Sequence, residues 1–167
     1  MNILTRWARH LWLDAADARR LLGTDGLQRL EQAVRGSEAR HMGELRLCIE
    51  AGLHAPALWR GASSRERAVA LFSQLRVWDT EHNNGVLIYL LLAERRIEIL
   101  ADRGLHACTG PAVWQGISDQ LSAALQAGRY EDGLSEAIQA VSNLLRQHFP
   151  LTSAPNRNEL PDAVVLI

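Results

Sequence analysis

The sequence predicts an α/β protein in which a small mixed sheet, built around a central antiparallel hairpin, lies between helices on both faces. Two observations carry this prediction. Residues 86–92 form a strand-sized apolar run, and residues 96–101 alternate between apolar and other side chains after a short gap. Helical apolar spacing prevails on either side of these runs. A chain of 167 residues with this pattern suits a three-layer αβα arrangement around one core.

The N-terminal segment, residues 1–23, is predicted to be a helix that packs on the rest of the domain. Apolar residues recur at helical spacing from Trp7 to Leu22, and Gly23 is a typical helix end. The arginines around this stripe leave a second interpretation open, in which the helix lies on a membrane surface. A second helix is expected to begin at Thr24.

Residues 43–51 alternate between apolar and charged side chains, which predicts a strand with one apolar face. Its charges Glu44 and Arg46, together with Arg96 and Glu98 of a later strand, suggest a cross-strand ladder of salt bridges. A loop rich in glycine and proline follows. Ser63 and Glu66 then match a capping box, and the helix that they begin is expected to run to about Arg76.

The hairpin is the best-defined element. Residues 86–92 are apolar on both faces, so this strand should be central and covered from both sides. The gap to residues 96–101 is too short for a crossover helix, which makes the two strands antiparallel. If residues 93 and 94 form the loop, the register pairs residue 92 with 95 and Gly85 with Asp102.

Two helices are expected after the hairpin, at about residues 112–127 and 131–149, and a loop leads into them. The C-terminal tail either adds an edge strand through its last five residues, AVVLI, or tucks against the core. The predicted organisation is therefore an N-terminal helix at 1–23, a domain at 24–150 and a tail at 151–167.

Acidic and amide side chains meet at the open end of the predicted hairpin. The register places Asp102 beside Asn84, and the preceding turn brings Asp79 and Asn83 within about 10 Å, because paired strands lie about 4.8 Å apart. Carboxylate and amide oxygens are the ligands of calcium and magnesium, so these four residues are the candidate metal site. Two alternatives stay open: the asparagines form only a turn, or Arg103 or Arg76 neutralises the acids.

No catalytic residue can be identified, since the G-x-S-x-G, H-E-x-x-H and Walker patterns are absent from the sequence. Arg96 and Arg103 are the candidate anion-binding residues. The 18 basic and 19 acidic residues argue against a general nucleic-acid binder. Neither a signal-peptide core nor a membrane-spanning run is visible. We therefore expect a cytoplasmic chain in which Cys48 and Cys108 remain thiols.

Two stretches of the sequence resemble the TPM domain family: ALFSQLRVWDTEHNNGVLIYLLLAERRIEILADRG and AALQAGRYEDGLSEAIQAVSNLL. The motifs that carry the resemblance are Asn84-Gly85 before an apolar strand, Arg96-Ile97-Glu98, Asp102-Arg103-Gly104, and Gly128-Arg129-Tyr130 followed by Gly133. The resemblance covers about residues 28–149. It is greatest to a stand-alone bacterial branch without signal peptide or membrane anchor.

The resemblance implies a small mixed sheet between helices, and it implies two functions. Some members of the family are described as acid phosphatases, and others as calcium-binding or accessory proteins. The first hypothesis is therefore a cation-binding or partner-binding accessory module. Its partner would be a protein at the surface of the inner membrane, reached by the first helix. The second is a phosphoester hydrolase that uses a bound metal.

Overall fold

The protein is described by a computed structural model that covers residues 3–153 and 158–167. Its helices and strands follow in this order: α1 Ile3–Trp12, α2 Ala15–Glu38, β1 Leu45–Glu50, α3 Ala55–Trp59, α4 Ser64–Gln74, β2 Val86–Leu91, β3 Arg96–Ala101, α5 Arg103–Cys108, α6 Pro111–Gln126, α7 Tyr130–His148 and β4 Val165–Leu166. The strands form one sheet in the order β3-β2-β1-β4. β1 runs parallel to both of its neighbours, and β2 and β3 are antiparallel.

The hairpin has the predicted register. Val86 pairs with Ala101 and Leu91 with Arg96, and the backbone N–H of Asp102 donates to the carbonyl of Gly85 at 2.8 Å. A short 3-10 turn closes the hairpin, and Arg95 follows it with a φ of 51°. All six residues of β2 are buried, which confirms that the apolar run is a central strand.

Helices cover both faces of the sheet, which confirms the three-layer prediction. On one face, side chains such as Leu47 and Ile88 pack against α2, α6 and α7. On the other face, Leu87 and Tyr89 pack against α3 and α4. Successive residues of a strand point to opposite faces, so the continuous apolar run of β2 supplies both cores at once.

The helix predicted from the N-terminus to Gly23 is wrong in its bounds, because the break comes earlier. α1 ends at Trp12, and Asp14 caps α2 through a reciprocal capping box with Asp17. Gly23 instead lies inside α2, where its φ of 69° makes a kink. The carboxylate of Asp14 accepts hydrogen bonds from N–H groups that would bond to carbonyl oxygens in a continuous helix. The chain can therefore change direction at Asp14.

β1 is buried on both faces, although one charged face was expected. The predicted ladder of cross-strand salt bridges is also wrong. β2 separates β1 from β3, so their charges cannot meet. Glu98 of β3 accepts a hydrogen bond from Ser64 of α4 at 2.6 Å. The charges of β1 pair with α4 and with the C-terminal tail.

Two segments that were expected to be loops contain short helices. α3 begins beside Pro56, which suits the first helical turn because proline lacks an N–H group. α5 begins directly after the hairpin, where the carboxylate of Asp102 accepts the N–H of Arg103. Cys108 is the last residue of α5 and is exposed, whereas Cys48 is buried on β1.

The C-terminal tail adds the edge strand β4, which settles the open alternative. Cys48 lies opposite Val165, and the N–H of Ile167 donates to the carbonyl of Ile49 at 3.0 Å. Parallel addition to β1 covers a sheet edge that would otherwise expose unpaired backbone groups.

Gly85 provides a test of the packing at the open end of the hairpin. A Cβ atom at Gly85 would overlap the carbonyl oxygen of Val77, which is backbone and has little room to move. Gly85→Ala should therefore cost about 1–3 kcal/mol of unfolding free energy. Gly116→Ala is the matched control, because nothing lies within 4 Å of its Cβ position on α6. That variant should gain about 0.5–1 kcal/mol from helix propensity. Equal urea midpoints for the two variants would contradict this packing.

Candidate functional site

The open end of the β2–β3 hairpin is enclosed by the loop of residues 77–83. The carbonyl oxygens of this loop approach two glycines closely: Val77 O lies against Gly85, and His82 O and Asn83 O lie against Gly104. The N–H of Gly104 also donates to Asn83 O at 2.9 Å. Side chains at the two glycine positions would collide with these oxygens, so several backbone carbonyls gather where β2 begins and β3 ends.

Asp102 and Asn83 lie at this end, as the sequence predicts. One carboxylate oxygen of Asp102 accepts the N–H of Arg103 at 2.7 Å. Its second oxygen, Oδ2, is buried and has no hydrogen-bond donor among the described residues. The Nε of Arg103 donates to Asn83 Oδ1 at 3.0 Å, so the guanidinium of this arginine bonds the Asn83 amide. Asn83 has a left-handed backbone, with a φ of 51°.

Asn84 is buried and is bonded toward β1. Its side-chain Nδ2 donates to the carbonyl of Met42 at 2.8 Å, and its own N–H donates to Thr80 Oγ1 at 3.1 Å. Its Oδ1 is a second buried acceptor without a donor in the described part of the chain. Strand alternation places Asp102 on the α4 side of the sheet with its partner Gly85, and Asn84 on the α7 side. The two orphaned oxygens therefore belong to opposite faces.

Asp79 is exposed in the loop before β2, and its N–H donates to the carbonyl of Arg76 at 2.9 Å. Residues 3–153 and 158–167 contain no group of three or more His, Cys, Asp or Glu side chains placed to hold a metal. A cation at this end would thus need amide and carbonyl oxygens in addition to the two aspartates. The oxygen-lined loop supplies such atoms, and calcium accepts them readily.

The two candidate anion-binding arginines lie far apart. Arg96 begins β3 beside the closed end of the hairpin, and Arg103 follows the same strand at the open end. Seven residues of extended chain separate them, which corresponds to about 20 Å. They cannot line a single anion pocket.

A second group of polar residues lies next to the open end, beneath the C-terminal tail. The carboxylate of Glu44 accepts the N–H groups of Glu159 and Leu160, each at 3.1 Å. The carboxylate of Glu159 in turn accepts the N–H of Glu81 at 3.2 Å. Burial raises the pKa of Glu44 above its ordinary value. Through these contacts the tail holds both β1 and the loop of residues 77–83.

Glu38, at the end of α2, is the most strongly perturbed acid of this group. It accepts the N–H of Leu45 at 2.8 Å and shares a side-chain hydrogen bond with Asp162 of the tail. Burial is the main reason that its pKa rises to about 9, and Glu44 adds to the effect. At neutral pH the Glu38 carboxyl is therefore protonated. Arg35 bonds to the other side of Asp162 at 2.9 Å.

Sequence patterns gave no indication of this second group. The helical period predicts only that Glu38 is a polar residue of α2. Strand alternation predicts that Glu44 lies on a solvent-exposed face. Their burial depends on the tail, which is more than 110 residues further along the chain. Ser37 and His41 form another pair that was not predicted, with Ser37 Oγ and His41 Nε2 2.9 Å apart and both residues buried. Burial lowers the pKa of His41 to about 4.

Comparisons with known proteins agree with the resemblance seen in the sequence. The family model of the TPM domain matches residues 15–144. No curated protein gives a significant match. Among solved structures, the chain is similar to the NMR structure of the BA42 protein from the psychrophilic bacterium Bizionia argentinensis, with a TM-score of 0.76. The identity is 23%, and the match covers 86% of this chain and 94% of that chain, which shows that the fold is shared.

Glu38 makes the stability of the protein depend on pH. The folded chain keeps the proton of Glu38 up to about pH 9, whereas the unfolded chain releases it near the ordinary pKa of 4.5. Between these values the folded state binds more protons, so the free energy of unfolding should fall as the pH rises. One such group contributes a slope of at most about 1.4 kcal/mol per pH unit. Glu38→Gln should flatten this slope in urea titrations between pH 5 and about 9.

The matched control is Glu136→Gln, which removes a carboxylate that is 61% exposed on α7. Its pH slope should equal that of the parent protein. Because Glu44 is shifted in the same direction, some slope should remain in Glu38→Gln. Identical slopes for the parent protein and Glu38→Gln would show that Glu38 does not hold its proton in the folded state.

Proposed function

The chain belongs to the TPM domain family, and on that premise we propose that it is a divalent-cation-binding accessory module with its cation at the open end of the β2–β3 hairpin. The observation that carries this proposal is the buried Oδ2 of Asp102, which has no hydrogen-bond donor within residues 3–153 and 158–167. A buried charged acceptor without a partner costs free energy. A bound cation would remove that cost.

The atoms around Asp102 suit a hard cation such as calcium or magnesium. Its strand partner is Gly85, and the loop carbonyls of Val77, His82 and Asn83 approach the same end. All of these are oxygen donors, and calcium takes six to eight of them from carboxylates, amides, carbonyls and water. The exposed Asp79 could complete the set from the loop. Asn84 would act from the other face, by holding the start of β1 through Met42.

An accessory role has more support than hydrolysis. The pair that most resembles a nucleophile and its base, Ser37 and His41, is fully buried, so a substrate cannot reach it. Arg103 is bonded to Asn83, and Arg96 lies at the far end of the strand. A phosphoester at the open end would therefore meet at most one of the two arginines. Binding of a cation and of a protein partner would need neither a nucleophile nor a base.

Calcium or magnesium should raise the melting temperature of the wild-type protein. Ligand at about a hundred times its Kd adds about 2.7 kcal/mol, which corresponds to an increase of about 5–10 °C for a chain of this size. Asp102→Asn should abolish the increase, because it removes the charge while asparagine still caps α5 well. The measurement is a melting curve at several cation concentrations, supported by isothermal titration calorimetry.

Asp119→Asn is the matched control, since Asp119 is exposed on α6 and bonds only a neighbouring glutamine in the described chain. It should leave the cation-induced increase unchanged. A flat titration of the wild-type protein would remove the cation from the proposal. If Asp102→Asn shifted melting equally with and without cations, the aspartate would act only as a helix cap.

A phosphatase assay separates the two functions. We expect no turnover of p-nitrophenyl phosphate above the buffer rate, with or without calcium, magnesium or manganese, because a phosphoester at the open end of the hairpin would meet at most one of the two candidate arginines. Cation-dependent turnover that Asp102→Asn removes would instead establish the metal-assisted hydrolase. Turnover that survives Asp102→Asn would indicate a contaminating enzyme.

A further inference from the structure

An apolar groove lies at the closed end of the hairpin, far from the candidate cation site. It runs between α1, the first turns of α2 and the hairpin turn, and has a volume of about 770 Å³. The apolar side chains that line it are Trp12, Leu13, Leu21, Leu92 and Tyr130. A groove of this size and lining is typical of a site for an apolar or amphiphilic ligand.

The large apolar side chains around the groove are unusually exposed. Trp12 is 87% exposed, and the neighbouring Leu11 and Leu21 are 63% and 44% exposed. Exposed apolar side chains that cluster in this way are typical of an interaction site. Trp12 and Leu21 of this exposed patch line the groove themselves, and Leu11, the third member of the patch, precedes Trp12 in α1.

The exposure of these side chains is not caused by detachment of α1, because α1 is hydrogen-bonded to the rest of the domain. The Nε of Arg6 donates to Glu94 at 2.7 Å, and His10 lies 3.0 Å from the same carboxylate oxygen. The N–H of Leu53 donates to His10 Nδ1 at 2.9 Å, so His10 carries its proton on Nε2 and donates it to Glu94. One face of α1 is therefore anchored through polar contacts, and the residues at its C-terminal end project outward.

The side chains that line the groove carry a positive net charge. Three arginines line it, Arg9, Arg20 and Arg95, together with one acid, Asp17. Asp17 accepts a hydrogen bond from Arg20 at 2.6 Å and belongs to the capping box of α2. The lining thus carries a net charge of two positive units. Guanidinium groups bind phosphate oxygens well.

We propose that this groove and the exposed patch bind the surface of a bilayer that contains anionic phospholipid. The apolar residues would enter the boundary between headgroups and acyl chains, where tryptophan is favoured. The arginines at the rim would meet the lipid phosphates, whose negative charge complements theirs. This inference is independent of the cation site, which lies at the other end of the hairpin.

The test is co-sedimentation of the purified full chain with vesicles, with EDTA present so that no divalent cation bridges protein and lipid. One set of vesicles contains phosphatidylcholine alone, and the other contains about one third phosphatidylglycerol. The partition coefficient should be at least about tenfold higher for the anionic vesicles, and high salt should reduce it.

Two variants test the two halves of the site. Trp12→Ser with Leu21→Ser removes the apolar contact and should abolish binding. Arg20→Gln with Arg95→Asn removes two charges and should weaken binding to anionic vesicles about tenfold. Asparagine is chosen at position 95 because it tolerates the left-handed backbone there. Melting curves of each variant establish that the protein is folded.

The controls change the same residue types elsewhere. Trp78→Ser removes a tryptophan that is 52% exposed outside the groove, and Arg146→Gln removes an exposed charge on α7. Both should bind vesicles as the parent protein does. Equal binding to the two lipid mixtures, no binding, or binding that survives the Trp12 and Leu21 changes would overturn the proposal. So would self-association in sedimentation velocity that those changes remove while vesicles stay unbound, since the occupant would then be a second copy.

Discussion

The structure depends on how the charged side chains of β1 are paired. Arg46 and Glu50 lie on a strand whose six residues are all buried, and a buried charge without a partner is very costly. Arg67 of α4 bonds Glu50 at 2.9 Å, and the hydroxyl of Tyr89 donates to it at 2.7 Å. Arg46 donates to the carbonyls of Pro161 and Ala163 in the tail. These partners determine where α4 and the tail must lie.

Two further carboxylates join the tail to the loop at the proposed cation site. Glu44, just before β1, holds the backbone of residues 159 and 160, and Glu159 holds the loop through Glu81. A structural change at the open end of the hairpin would therefore be transmitted by these hydrogen bonds to β1 and the tail. The groove at the closed end does not share these contacts. About 20 Å of β2 separates the two ends, so the two proposed activities rest on different residues. Each helix of the part of the chain that the structure describes is too short or too polar to span a membrane.

The elements that sequence patterns predicted well are those whose cause is local. The apolar run of β2 and the short gap after it set the hairpin register, and that register brought Asp102 to Gly85 as expected. The patterns did not reveal that Asp102 would cap a helix, because α5 has too few residues for a visible period. The patterns also did not predict the hydrogen bond from Arg103 to Asn83. Such a bond depends on the rotamers of both side chains, and sequence spacing does not determine rotamers.

By itself the sequence determined the fold class, the hairpin and its register, and the ends of α4, α6, α7, β1, β2 and β3 to within a few residues, because apolar periodicity reflects burial within one element. Only the tertiary structure decided that β1 is buried on both faces and that the tail becomes its second neighbour. Only it showed that Glu38 is buried near Glu44 and Asp162, which raises its pKa, and that Trp12 lines a groove with three arginines. Each of these follows from contacts between distant segments, where the free energy of burying a charge or an apolar side chain depends on what the rest of the chain places against it.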